Sequence, residues 1–195
     1  VTINMSNIFV VGNSWSIPSV EAPKPAFSQL GLNNRWEKIG ITLDAQAEYI
    51  IDNDLTSTFK VIWLIGHHHR ADPRADGSYL LPYEWGDGDI WGKLVRDIWF
   101  RKITRMEWYN RTSALFLQAV LGKSNSANLL MIPVYRPNVV DHKWFDEHPC
   151  IWRHYLGDYV REFPDGRGHM NQAGHNKFKI RLAAEIYDRW KIKTI

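Results

Sequence analysis

Apolar runs and helical periods alternate along this chain, and their order constrains the fold before any residue is given a task. The stretch IFVVGNSWS, Ile8 to Ser16, sends four apolar residues straight into Gly-Asn-Ser, so 7–11 reads as a first buried strand ending in a hydroxyl-bearing turn. NRWEKI, 34–39, reads as a weaker second strand; the clearest core strand is FKVIWLIG, 59–66, and NLLMIPV, 128–134, is another. Between the first two strands, SIPSVEAPKPAFSQLGL holds three prolines, which predicts a loop followed by a short helix. Helical spacing runs from Thr42, a candidate N-cap, to about Asn53, with Leu43, Ala47, Ile50 and Ile51 on one face.

Residues 70–89 are rich in Asp, Gly and Pro and read as a long loop of the kind that covers a site. A helix is expected from about Ile90, its stripe made by Trp91, Leu94, Val95, Ile98 and Trp99, with helical sequence continuing to Leu121. The segment from Pro137 to Pro164 is irregular with short helical pieces, and Ala173 to Lys191 forms a final amphipathic helix through Phe178, Leu182, Ile186 and Trp190. Continuous apolar strands separated by helices imply an α/β fold with a parallel sheet covered on both faces.

Composition changes this picture little. At 195 residues the chain fits a single domain, 1–195, able to bury a substantial core without disulfides or a structural metal. Its 24 Lys and Arg against 21 Asp and Glu are scattered, which argues against a nucleic-acid partner. Cys150 is the only cysteine, so no disulfide forms within the chain. No window approaches a membrane span, and the first residues lack the basic and apolar runs of a signal peptide. Residues 1–4 read as an upstream extension, with Met5 a natural start. With 10 Trp, 8 Tyr and 8 Phe, many aromatic residues must reach the surface or a cleft, where Trp suits sugars and other amphipathic ligands, although most are expected to be core or helix-packing residues.

In parallel sheets ligands bind at the carboxyl ends of the strands. Those ends carry Gly12-Asn13-Ser14, Gly40, Gly66-His67-His68-His69 and Tyr135-Arg136, and one more polar cluster, FPDGRGHMNQAGH, precedes the last helix. Acyl transfer needs a nucleophile, a base, a carboxylate to orient the base, and oxyanion donors; Ser14, His169, Asp165 and the Gly40/His68 pair supply all four. The plainer readings stand beside this one. Ser14 also fits an ordinary turn, with Ser16 a local hydrogen-bonding partner, and His169 fits a helix start that Asn171 caps. Consecutive side chains of His67, His68 and His69 diverge, and His142, His148, His154 and His175 have no ligand spacing, so no metal or other cofactor is expected. Cys150, between Pro149 and Ile151, sits in no nucleophile motif.

These blocks resemble the SGNH hydrolase superfamily, the GDSL esterases and lipases, from Ile8 to about Ile186. The family's Gly-Asp-Ser matches Gly12-Asn13-Ser14, with Asn in place of Asp. Its oxyanion Gly after strand two matches Gly40, with Gly31 as fallback, and its Gly-x-Asn matches Gly66-His67-His68, with His68 in the Asn position. The Asp-x-x-His block followed by Asn and Gly matches His169, Asn171 and Gly174, with Asp165 four residues before the histidine instead of three and Asp158 as an alternative. The resemblance implies a flavodoxin-like three-layer α/β/α sandwich around a central parallel sheet. It also implies Ser14 as nucleophile, His169 as base, Asp165 as its carboxylate, and the N–H groups of Ser14 and Gly40 with the His68 ring as oxyanion hole.

The expected function is therefore hydrolysis of an ester, a carbohydrate O-acyl group or another small acyl ester, with the aromatic loop 79–91 favouring a sugar. The alternative is a non-catalytic module of the same fold that binds glycans or serves an assembly such as a phage particle. Oligomeric state is left open, as is the compartment, between cytoplasm and virion.

Overall fold

The computed structural model describes residues 5–37, 43–65, 117–134, 148–166 and 168–193. Within them lie strands β1 (Ile8–Gly12), β2 (Asn34–Glu37), β3 (Lys60–Ile65) and β4 (Leu129–Pro133). The helices are α1 (Ala26–Gln29), α2 (Leu43–Asp52), α3 (Leu55–Thr58), α4 (Leu156–Glu162) and α5 (Gln172–Trp190), with a further helical segment at 117–123. The strands form one sheet in the order β2-β1-β3-β4, every neighbouring pair parallel. This is a mixed α/β fold.

Each expected strand among these residues is found, with small shifts at the ends. Asn7 belongs to a 3-10 turn and Gly12 completes β1; Phe59 closes α3; Asn128 ends a second 3-10 turn. The short helix expected after the prolines is α1, and α5 starts one residue earlier than its apolar period suggests because Asn171 caps it. The four-residue α3 has no counterpart in the sequence pattern. Thr42, the loop 70–89 and the helix from Ile90 up to residue 116 lie outside the described residues.

Burial explains strand composition. β3 and β4 are buried along almost their whole length, which is why they read as unbroken apolar runs. β2 is an edge strand with every residue half-buried, and an edge tolerates the Arg35 and Glu37 that blurred its pattern. Successive side chains of a strand leave opposite faces. Val10, Ile62, Leu64, Leu130 and Ile132 accordingly join a cluster with Phe27, Phe178, Leu182 and Ile186. Val11, Val61, Trp63, Leu129 and Met131 join a second with Leu43, Ala47, Ile50 and Leu55. Parallel pairing brings the carboxyl ends of all four strands to the same edge, and the turn after β1 carries Ser14 there.

Candidate active site

The turn that presents Ser14 is built by its neighbours. The Asn13 carbonyl accepts from the Ser16 N–H at 3.0 Å and from Ser16 Oγ at 2.7 Å, closing a tight turn directly after β1. Asn13 Oδ1 accepts from the Trp15 N–H at 3.0 Å, and its Nδ2 donates to the Leu64 carbonyl at 3.5 Å. An aspartate could make the first of these side-chain bonds and not the second, so Asn suits the site where the resemblance leads one to expect Asp. Gly12 is equally constrained. A Cβ there would collide with Ser16 Oγ and come within 3.1 Å of Glu37 Cγ.

His169 arrives from the other end of the chain. Its Nε2 lies 3.1 Å from Ser14 Oγ, across 155 residues of sequence. The imidazole is held in a compact loop in which Pro164 and Met170 form an antiparallel bridge. Asp165 N–H donates to the His169 carbonyl and His169 N–H donates to Asp165 Oδ1, both at 2.9 Å. Gly166 and Gly168 have φ of +78° and +88°, in the left-handed region where glycine carries no steric penalty, and they absorb the extra residue between Asp165 and His169. The Asp165 side chain is only 2% exposed, and its Oδ2 lies 3.8 Å from His169 Nδ1. That separation is an electrostatic contact longer than a hydrogen bond. The Trp15 ring walls the imidazole, its centroid 4.8 Å from that of His169.

The cap expected at Asn171 is found, and the residues after it join the two arms. Asn171 Oδ1 caps α5 by accepting from the N–H groups of Ala173 and Gly174. Gln172 crosses to the segment after Ser16: its N–H donates to the Glu21 carbonyl at 3.1 Å, while its side chain accepts from Lys24 N–H at 3.0 Å and donates to the Lys24 carbonyl at 2.8 Å. One turn later the buried His175 accepts the Ala26 N–H on Nδ1 at 3.3 Å. Burial pushes the His175 pKa down to about 4; the charge of His169 acts in the same sense and Asp165 opposes it. Below the sheet ends, fully buried Gln46 donates to the Gly12 and Leu64 carbonyls at 3.2 and 3.1 Å and accepts from Trp63 Nε1 at 3.2 Å, fastening β1 to β3. A signal existed for both residues. Gln46 and His175 are polar residues set in the apolar stripes of α2 and α5.

The remaining candidates are placed as follows. Gly40, Gly66 and His67 to His69 lie outside the described residues, as do Tyr135, Arg136 and His142. Gly31 precedes β2, at the end of that strand away from Ser14. Asp158 lies on α4 and pairs with Arg161 at the surface. Cys150 is buried, donates to the Ser126 carbonyl at 3.2 Å, and burial raises its thiol pKa, the opposite of nucleophile activation. Among the described residues no group of three or more His, Cys, Asp or Glu is placed to hold a metal ion, and no helix is long and apolar enough to cross a membrane. Glu37, at the end of β2 opposite Gly12, is a carboxylate near the turn; burial raises its pKa, while Ser16 and Arg35 act to lower it. No protein-family model matches the chain, and no curated protein matches it.

Proposed function

We propose that the protein is a serine hydrolase that cleaves a carbohydrate O-acyl or other small acyl ester, a divergent SGNH-type enzyme with the family's three-layer sandwich. The observation that carries this reading is the 3.1 Å contact between Ser14 Oγ and His169 Nε2, with the buried Asp165 behind the ring. Ser14 Oγ attacks the ester carbonyl carbon as its proton passes to His169 Nε2. The tetrahedral intermediate expels the alcohol, which takes that proton, and leaves acyl-Ser14. Water then attacks the acyl carbon, giving its proton to His169, and Ser14 departs with that proton as the acid is released.

Asp165 favours the tautomer with the proton on Nδ1 and stabilises the imidazolium, acting across 3.8 Å through a site where burial limits screening. The Ser14 and Gly40 N–H groups with the His68 ring would receive the oxyanion, each such donor worth about 10²–10³ in rate. The preference for a sugar rests on the aromatic residues of 79–91. No cofactor takes part.

The 3.8 Å gap between Asp165 and the ring favours, as a second reading, a glycan-binding or assembly module of the same fold. Hydrolysis of p-nitrophenyl acetate separates the two. The enzyme reading expects turnover that Ser14→Ala abolishes with thermal stability nearly unchanged; hydrolysis unaltered in Ser14→Ala contradicts it.

A further inference from the structure

For Ser14 to meet His169, the segment leaving β1 and the helix at the end of the chain must be fixed against each other. The geometry points to His175 as a positioning residue that sets the separation of Ser14 and His169 by tying α1 to α5; this rests on the acyl-transfer reading above. α1 is only four residues long, and its N-cap, Pro25, has no side-chain hydrogen bond to offer. The Ala26 N–H therefore has no acceptor of its own in the helix, as first-turn amides never do. His175 supplies it, across 149 residues, at a position 3% exposed. An unmet donor buried there would carry its full desolvation cost.

The contact is placed to matter for the site. His175 stands four residues after Asn171, the N-cap of α5, and six after His169. Phe27, beside Ala26, packs edge-on against Phe178 of α5 at 5.8 Å, so the tie continues into the core. Gln172 fastens the loop before α1 to the same end of α5. With Nδ1 accepting, neutral His175 carries its proton on Nε2, and an imidazolium has no acceptor at all. The groups whose charge acts on His175 are His169 and Asp165. α1 carries no charged residue, Glu21 and Lys24 of the preceding loop reach α5 through backbone groups, and α4 pairs Asp158 with Arg161 and Glu162 with Lys177. The tie is closed across the neutral range.

The test compares the full-length protein with His175→Leu, which keeps volume and loses the acceptor, and His175→Asn, whose Oδ1 stands near the place of Nδ1. All are measured at pH 7, where His175 is neutral and its replacement removes no charge. The readouts are the ring-nitrogen NMR signal of His169, hydrogen exchange of the Ala26 amide, and the rate at which a fluorophosphonate labels Ser14. His175→Leu should speed Ala26 exchange, lose the signal of a hydrogen-bonded Nε2, and slow labelling about 10- to 100-fold, the scale of an ångström misplacement. His175→Asn should return all three toward wild type. Should His175→Leu not fold, His175→Gln, with its acceptor displaced, takes its place. A wild-type His169 signal and labelling rate in the variant without the acceptor overturns the proposal. If the wild-type protein itself is not labelled, the hydrolase reading fails, and the positioning role stands or falls on the His169 signal alone.

Discussion

Asn13 and Leu64 are joined by a hydrogen bond from side-chain amide to backbone carbonyl, 3.5 Å long, that ties the turn carrying Ser14 to the end of β3. Gln46 donates to the same carbonyl at 3.1 Å. The position where the resembled family has Asp is thus filled here by a residue that must donate as well as accept. Asn13→Asp, which restores the family residue, is expected to destabilise the protein at pH 7 by about 1–3 kcal/mol, because a carboxylate oxygen then faces a carbonyl oxygen. The loss should shrink at pH 4, where a protonated carboxyl donates again. Urea denaturation at the two pH values measures both.

Gly12 has no room for a side chain. In Gly12→Ala the new Cβ collides with Ser16 Oγ, and Ser16 can yield only by giving up its 2.7 Å bond to the Asn13 carbonyl. The expected cost is about 1–3 kcal/mol in stability, as for other overpacked sites, accompanied by slower hydrolysis as Ser14 shifts. The pair Gly12→Ala/Ser16→Gly, which clears the collision, should recover the rate relative to Gly12→Ala; equal rates would mean that the turn does not govern Ser14.

His175 makes stability depend on pH. Its folded pKa of about 4 lies below the ordinary value of 6.5, so between these values the unfolded chain binds more protons than the folded one. The stability it contributes is fully present above pH 6.5 and is lost as pH falls toward 4, in total about 3 kcal/mol. Buried carboxylates add their own acid sensitivity, so the test is a difference. Between pH 7 and pH 4.5, wild type should lose more stability than His175→Asn, as read by thermal unfolding across the range.

What the sequence made legible follows from range. β3 and β4 announced themselves because both strands are buried almost end to end, and their apolar runs are local facts. β2 was weaker because an edge strand can keep Arg35 and Glu37. α3, Leu-Thr-Ser-Thr, has too few residues for any period and two β-branched threonines that argue against a helix. Ser14, His169 and Asp165 could be picked out together because each sits beside an element end in a recognisable block. The residues that hold them in place could not. Gln46 meets Gly12, Leu64 and Trp63, and His175 meets Ala26; these partners are set by sheet order and helix packing, which no local pattern records. A polar residue inside an apolar stripe was the trace they left.

Whether Ser14 is a nucleophile activated by His169 is decided by peptide mapping of the protein after exposure to a fluorophosphonate probe. One phosphonylated residue, Ser14, is expected, with labelling lost in Ser14→Ala and reduced at least about 100-fold in His169→Ala, the lower range for removing a general base. Labelling at another serine, or none at Ser14 in a protein shown to be folded, would rule out that role for Ser14.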